Sequence, residues 1–261
     1  MYGQYADMAG LEPDERGAGW NYYNENDRFA AQWLRELIRD ELIPNGVVDE
    51  RTILDVSPAE VRGFAHCHFF AGIAGWSEAL RLAQWPKDRE VWTASVPCQP
   101  LSVAGKQRGD ADTRHLWPTF YNLVAECRPS TIFGEQVASH LGREWLCGVR
   151  ADLEDIGYAI GIADLPASGV SAPHLRQRLY WVGHSDEPRP QGRSIDAGEC
   201  SDQLSPWASG KFVACEDGKK RRVKSSILPV VDGFQNRVGT LRGAGNAIVP
   251  QVAAAFIEAS L

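Results

Sequence analysis

The sequence predicts an α/β fold. Short apolar runs alternate along the chain with amphipathic stretches, and a proline-bracketed cysteine follows one of those runs. That run, Val91-Trp92-Thr93-Ala94, reads as a short buried strand. It leads into Val96-Pro97-Cys98-Gln99-Pro100, where the prolines stop regular structure. A thiol in a stiff loop just after a strand sits where open α/β sheets place their chemistry. On spacing alone, a structural cysteine beside a turn fits equally well.

Composition sets bounds. With 261 residues, 44% of them hydrophobic, the chain can bury a full core as one domain, or as one domain and a small appendage. The formal net charge of −7 does not mark a nucleic-acid binder, but a local basic patch would suffice for one. No apolar run is long enough to span a membrane, and the N-terminus lacks a signal-peptide layout. The six cysteines are scattered without a Cys-x-x-Cys pair, which favours reduced thiols and a cytoplasmic location.

Residues 1–21 are polar and glycine-bearing and read as a loosely held arm. Asp27 is placed to cap a helix whose Phe29, Trp33, Leu37 and Ile38 share one face. Glu25, just before it, fits a ribose contact and a solvated cap-region charge equally. Pro44-Asn45-Gly46 ends that unit, and Ile53-Leu54-Asp55-Val56 is a short apolar run with one acid. From His66 a strand enters the turn Phe70-Ala71-Gly72-Ile73-Ala74-Gly75 and then a helix through Leu82. Gly72 and Gly75 allow backbone to approach a ligand at the helix start. Neighbours in a strand point to opposite sides, so His66, Cys67 and His68 do not face one metal.

Leu101 to Asp110, which includes Ser102, Lys106 and Arg108, is polar, glycine-bearing and basic, as expected of a loop over a cleft. A helix is expected from about Thr113 to Glu126, then a buried strand Thr131–Val137 carrying Glu135 near its end. Glu135 alone fits a catalytic acid or a helix-start charge. A helix is expected from Trp145 to Tyr158, closed by Gly157, and a strand over Ala159–Ala163. If Pro173–Val182 is extended, Arg176 and Arg178 point the same way. Such a pair suits a phosphate or carboxylate, or two surface salt bridges. From His184 to about Leu204 the chain reads as a linker or a long loop. Lys219, Lys220, Arg221 and Arg222 lie in the one dense basic run, and Asn246 lies in the turn before a last helix to Ile257.

Together these pieces resemble the DNA cytosine-5 methyltransferases, particularly the short forms common in phages and prophages. Pro97-Cys98-Gln99 looks like that family's nucleophile motif, and Gly134-Glu135-Gln136-Val137 like its Glu-Asn-Val motif. His174-Leu175-Arg176-Gln177-Arg178 is similar to Gln-x-Arg-x-Arg, with His174 at the usual glutamine. Gly245-Asn246-Ala247 matches the C-terminal Gly-Asn-Ser/Ala motif, and Phe70–Gly75 the cofactor loop, with Ala74 at a usual glycine. The resemblance implies a Rossmann-like fold, S-adenosylmethionine as cofactor, and double-stranded DNA with a flipped cytosine as substrate. It leaves open an RNA substrate, a different group transferred to C5, and a non-catalytic DNA-binding form.

The order of motifs departs from the family. The interval from Gly75 to Pro97 is too short for the ribose and adenine units, which look instead to lie upstream at Tyr23–Ala30 and Ile53–Val56. The expected fold therefore has permuted strands at its N-terminus. The cofactor strand would still sit between the ribose strand and the cysteine strand. Resemblance assigns catalysis to Cys98, Glu135, Arg176 and Arg178. It assigns the cofactor to Glu25, Asn26, Asp55, Phe70, Ala71, Gly72, Ile73, Gly75, Pro97 and Asn246. DNA contacts are expected from Gln99, Ser102, Lys106, Arg108 and Lys219 to Arg222. The expected organisation is an arm (1–21), a catalytic and cofactor domain (22–183), a short target-recognition region (184–236) and a returning C-terminal segment (237–261), in a monomer with no metal.

Overall fold

The structure, a computed structural model, describes residues 20–97, 116–185, 211–214, 220–223 and 246–261. Among them seven strands form one sheet in the order β2-β1-β3-β4-β5-β7-β6. These are β1 (Asn21–Asn24), β2 (Gly46–Asp49), β3 (His66–Phe69), β4 (Val91–Ala94), β5 (Thr131–Val137), β6 (Tyr158–Leu165) and β7 (Arg178–Ser185). All neighbours from β2 to β5 are parallel, and β7 runs antiparallel between β5 and β6. The permuted arrangement holds: β3 lies between β1 and β4, although β1 precedes it in the chain. A separate hairpin pairs β8 (Lys211–Ala214) with β9 (Lys220–Val223).

Helices cover both faces, as a parallel sheet requires. They are α1 (Arg28–Arg39), the short α2 (Pro58–Val61), α3 (Gly75–Leu82), α4 (Trp117–Cys127), α5 (His140–Asp155) and α6 (Pro250–Glu258). Strand alternation sorts the core. Tyr22, Cys67, Phe69, Trp92, Ile132 and Trp181 pack with Phe120, Leu123 and Leu146 of α4 and α5. Phe133, Tyr180 and Val182 pack with Trp76 and Leu80 of α3 and with Phe256 and Ile257 of α6. Tyr23 faces Leu34 of α1.

Several local expectations change. Gly46 opens a strand rather than ending a unit, and Ile53–Asp55 is a 3-10 turn on the way to α2. Asn21 is buried in β1 and is not part of the arm. Helix α5 starts at His140, because the Ser139 hydroxyl accepts from the Gly142 N–H and caps it there. Asp27 does cap α1, accepting from the Phe29 and Ala30 N–H groups. The buried side of α1 is Ala30, Ala31 and Leu34, which leaves Phe29 and Trp33 half-buried at its margin. Residues 173–177 are not part of a strand, since β7 begins at Arg178, and Arg176 departs from extended backbone with a φ of 29°.

A buried polar row lies under α3. The His68 ring stacks on Tyr23 with centroids 5.0 Å apart. Its Nε2 is 3.3 Å from Asn21 Nδ2, which can only donate, so Nδ1 carries the proton toward Thr93 Oγ1 at 2.8 Å. Burial pushes His68 down to about 3. The folded state therefore keeps it neutral, while the unfolded chain takes up a proton near pH 6.5. Stability from this source is complete above that pH and is lost as pH falls toward 3. Denaturant midpoints should decline between pH 6 and 4.5, with His68 contributing up to ~1.4 kcal/mol per pH unit. His68→Gln should remove that share of the slope, even if it is less stable at pH 7.

Candidate functional site

A cavity of about 580 Å³ opens at the carboxyl ends of β1, β3 and β4. Open α/β sheets bind ligands there, and the volume suits one small molecule. Its wall brings together Glu25, Asn26, Phe70, Ala71, Gly72, Ile73, Gly75, Pro97 and Asn246 from the expected set. Asp55 is not in that wall. It is exposed in the 3-10 turn, because β2 ends at Asp49 and the chain has already turned away. The wall also includes Asp27, Phe29, Ala30, Trp76, Ser95, Ala247 and Ile248. Two of these had a legible signal, as aromatic residues in the first turn of the helices after β1 and β3.

Glu25 joins two strand ends. Its Oε1 accepts from the Asp27 N–H at 2.8 Å, and its Oε2 accepts from the Gly72 N–H at 2.7 Å. Burial raises its pKa, although both hydrogen bonds oppose the shift. Each carboxylate oxygen keeps a second lone pair for a ligand hydroxyl. The loop after β3 is tightly coiled: Phe70, Gly72 and Ala74 have φ of 54°, 57° and 66°. Only Gly72 adopts this region without penalty. Phe70 is conformationally strained, and Ala74 holds its left-handed backbone with its methyl buried beside Tyr23 and Leu34. Ala74 has no side chain to cap α3, so first-turn N–H groups are available to an anionic ligand group.

The C-terminal turn closes the cavity from the far end of the chain. A Cβ on Gly75 would lie 2.7 Å from Ile248 Cγ1, so glycine is what allows α3 and this turn to meet. Trp76 donates to the Ser95 hydroxyl at 3.1 Å and stacks near Phe133, which ties α3 to β4 and β5.

Beside the cavity, Arg178 Nε lies 2.7 Å from Glu135 Oε1. Both side chains are mostly buried, at 20% and 12% exposure, so the charges are poorly screened. Burial raises the Glu135 pKa, against the opposing fields of Arg178 and Arg176. Arg176 does not parallel Arg178. It has φ of 29°, and its Nη2 donates to the Ala247 carbonyl at 2.6 Å. Gln136 is buried, and its Nε2 donates to the Val96 carbonyl at 3.3 Å while its Oε1 accepts from the Val137 N–H. The residue after Glu135 thus anchors the segment that enters Pro97. Cys98, Gln99, Ser102, Lys106, Arg108 and Lys219 lie outside the described residues, while Lys220, Arg221 and Arg222 lie on β9.

An open α/β sheet with this cavity across its strand ends belongs to the doubly wound class that holds nucleotide-like ligands. Within that class, a family model described as C-5 cytosine-specific DNA methylase matches residues 69–226, and the chain belongs to that family. Type II methyltransferase M.AplI of Arthrospira platensis is 34% identical over 97 residues, 36% of this chain and 28% of the relative. Type II methyltransferase M.NlaX of Neisseria lactamica is 30% identical over 168 residues, 60% of this chain and 49% of the relative. The chain thus spans less than half the length of these curated relatives. The solved Dnmt2 methyltransferase of S. pombe overlaps 76% of this chain and 64% of its own, with 13% identity and a TM-score of 0.43.

Gln136→Leu should destabilise the protein by about 1–3 kcal/mol, because it leaves the Val96 carbonyl buried without its donor. Urea unfolding at pH 7 measures this. A change below 0.5 kcal/mol would mean that the bond does not hold the loop.

Proposed function

We propose that this protein transfers a methyl group from S-adenosylmethionine to C5 of cytosine in double-stranded DNA. The observation that carries the reading is that the Glu135–Arg178 pair stands near the end of β5, where the next residue, Gln136, bonds the Val96 carbonyl just before Pro97. Family membership gives that geometry its chemistry.

The cavity residues fit the cofactor. Glu25 has acceptor capacity for ribose hydroxyls, the coiled Phe70–Gly75 loop and the α3 N-terminus suit a carboxylate, and Phe29 supplies a ring face. Asn26 stands where the family often has such a ring, and Phe29 on the next turn takes its place. When bound, S-adenosylmethionine supplies an electrophilic methyl group. The protein's task is to make C5 nucleophilic. The Cys98 thiolate adds to C6, which turns the ring into an enamine-like species. Glu135 faces ring N3 and the exocyclic amine. Its raised pKa makes the protonated form accessible for donation as charge develops. Arg178 holds Glu135 and orients the base. Once C5 has gained the methyl group, its remaining proton passes to water and the C5–C6 double bond re-forms as the thiolate leaves C6. The base must leave the duplex to reach these groups. Gln99, Ser102, Lys106 and Arg108 would line the base and backbone path. Lys219 and the β9 residues Lys220, Arg221 and Arg222 would contact phosphate or base edges.

Incubation with duplexes of varied sequence should yield 5-methylcytosine, detected by nucleoside mass spectrometry. Its absence, or its appearance only in RNA, would defeat the DNA reading. Cys98→Ser should reduce turnover to background, because a hydroxyl is far less ionised near neutral pH. Duplex bearing 5-fluorocytosine at the target should trap the wild-type protein at Cys98, and an adduct mapped to Cys67, Cys127 or Cys147 would refute the assignment.

Phe29→Ala should raise the KM for S-adenosylmethionine about fivefold with a smaller change in kcat, because a ring contact is worth roughly 1 kcal/mol. An unchanged KM would place the adenine elsewhere.

A further inference from the structure

We infer that Arg176 is a positioning residue that holds the wall of the cofactor cavity, and that it does not contact the base or the DNA backbone. The inference rests on the cofactor reading above. The Arg176 guanidinium donates to the Ala247 carbonyl at 2.6 Å. Ala247, with Asn246 and Ile248, forms the part of the wall that comes from the end of the chain. This turn leads into α6, whose N-cap residue Val249 makes no side-chain capping bond. Its position therefore depends on outside contacts. Ile248 rests on the glycine face of Gly75, and the Tyr180 hydroxyl meets the Val249 N–H. Arg176 is the charged member of that set.

The backbone at Arg176 supports this role. A φ of 29° is unfavourable for a residue with a Cβ, and such a conformation persists only where surrounding contacts impose it. It turns Arg176 away from the direction that an extended strand would share with Arg178. Two residues apart, one guanidinium holds Glu135 and the other holds the cavity wall. The two halves of the site are thus braced by one short segment. A well-placed cofactor wall and a well-placed Glu135 favour each other.

The test is equilibrium binding of S-adenosylhomocysteine by calorimetry, without DNA, to wild type, Arg176→Met and Arg176→Lys. Loss of one charge-assisted hydrogen bond should weaken binding about tenfold in Arg176→Met. Arg176→Lys, which keeps a donor, should recover part of that loss. Hydrogen exchange at the Val249 amide should quicken in Arg176→Met. Affinity for non-specific duplex and its salt dependence should stay at wild-type values. Should Arg176→Met fail to fold, Arg176→Gln, which keeps only a neutral donor, should show a smaller loss in the same direction. Unchanged S-adenosylhomocysteine binding in the variants overturns the inference, as does a fall of about one in the salt slope for duplex, the mark of a lost phosphate contact. If wild type itself does not bind S-adenosylhomocysteine, the cofactor reading fails, and the inference falls with it.

Discussion

The carboxylate of Glu25 spans the point where the rearranged chain must be joined. One oxygen holds its own loop through Asp27, and the other holds the loop after β3 through Gly72. Just behind it, the Ala71 N–H donates to the Asn24 carbonyl, which continues the β1–β3 ladder past the ends of both strands. The register fixes which residues face each other there, with Asn24 opposite Phe69. A strand that enters the sheet from a different place in the chain can therefore bring its acid, Glu25, to the loop after β3. Pairing depends on the backbone, not on the order in which segments are connected.

A second junction joins the cavity to the Glu135–Arg178 pair. It consists of the Gln136–Val96 bond, the Arg176–Ala247 bond, and Tyr180, whose ring contacts both Trp76 and Phe256. Each link starts on β5, on β7 or just ahead of β7, and ends on a segment that borders the cavity. The buried Glu135–Arg178 pair lies between them. Its charges are costly to bury and costly to separate, so this part of the sheet resists small displacements.

Much of the fold was legible. The apolar runs at 66–69, 91–94 and 131–137 became strands because their lengths and flanking turns suit burial on both faces. The short spacing between Gly75 and Pro97 was enough to show that strands had moved upstream. β2 was not legible, since Gly46-Val47-Val48-Asp49 directly follows a turn signal and only its pairing with β1 makes it a strand. Asp55 is the acid of a short apolar run, and that run folds as a turn. Most of the Glu25 and glycine-loop site lies close in sequence to its motifs. The Asn246–Ile248 wall does not, because its contact with Gly75 joins segments far apart in the chain. The unusual backbone at Arg176 left no trace in residue type, since glycine and asparagine are the usual markers of that region.

The pairing of α3 with α6 bears on how the protein is made. Every strand of the large sheet, and α3 itself, precedes α6 in the chain. On the ribosome, the apolar side of α3, including Trp76, Ala79 and Leu80, emerges long before Val252, Ala253 and Phe256 can cover it. The nascent sheet must hold this surface uncovered through the synthesis of the hairpin region. Apolar surface left uncovered during that interval is open to misassociation.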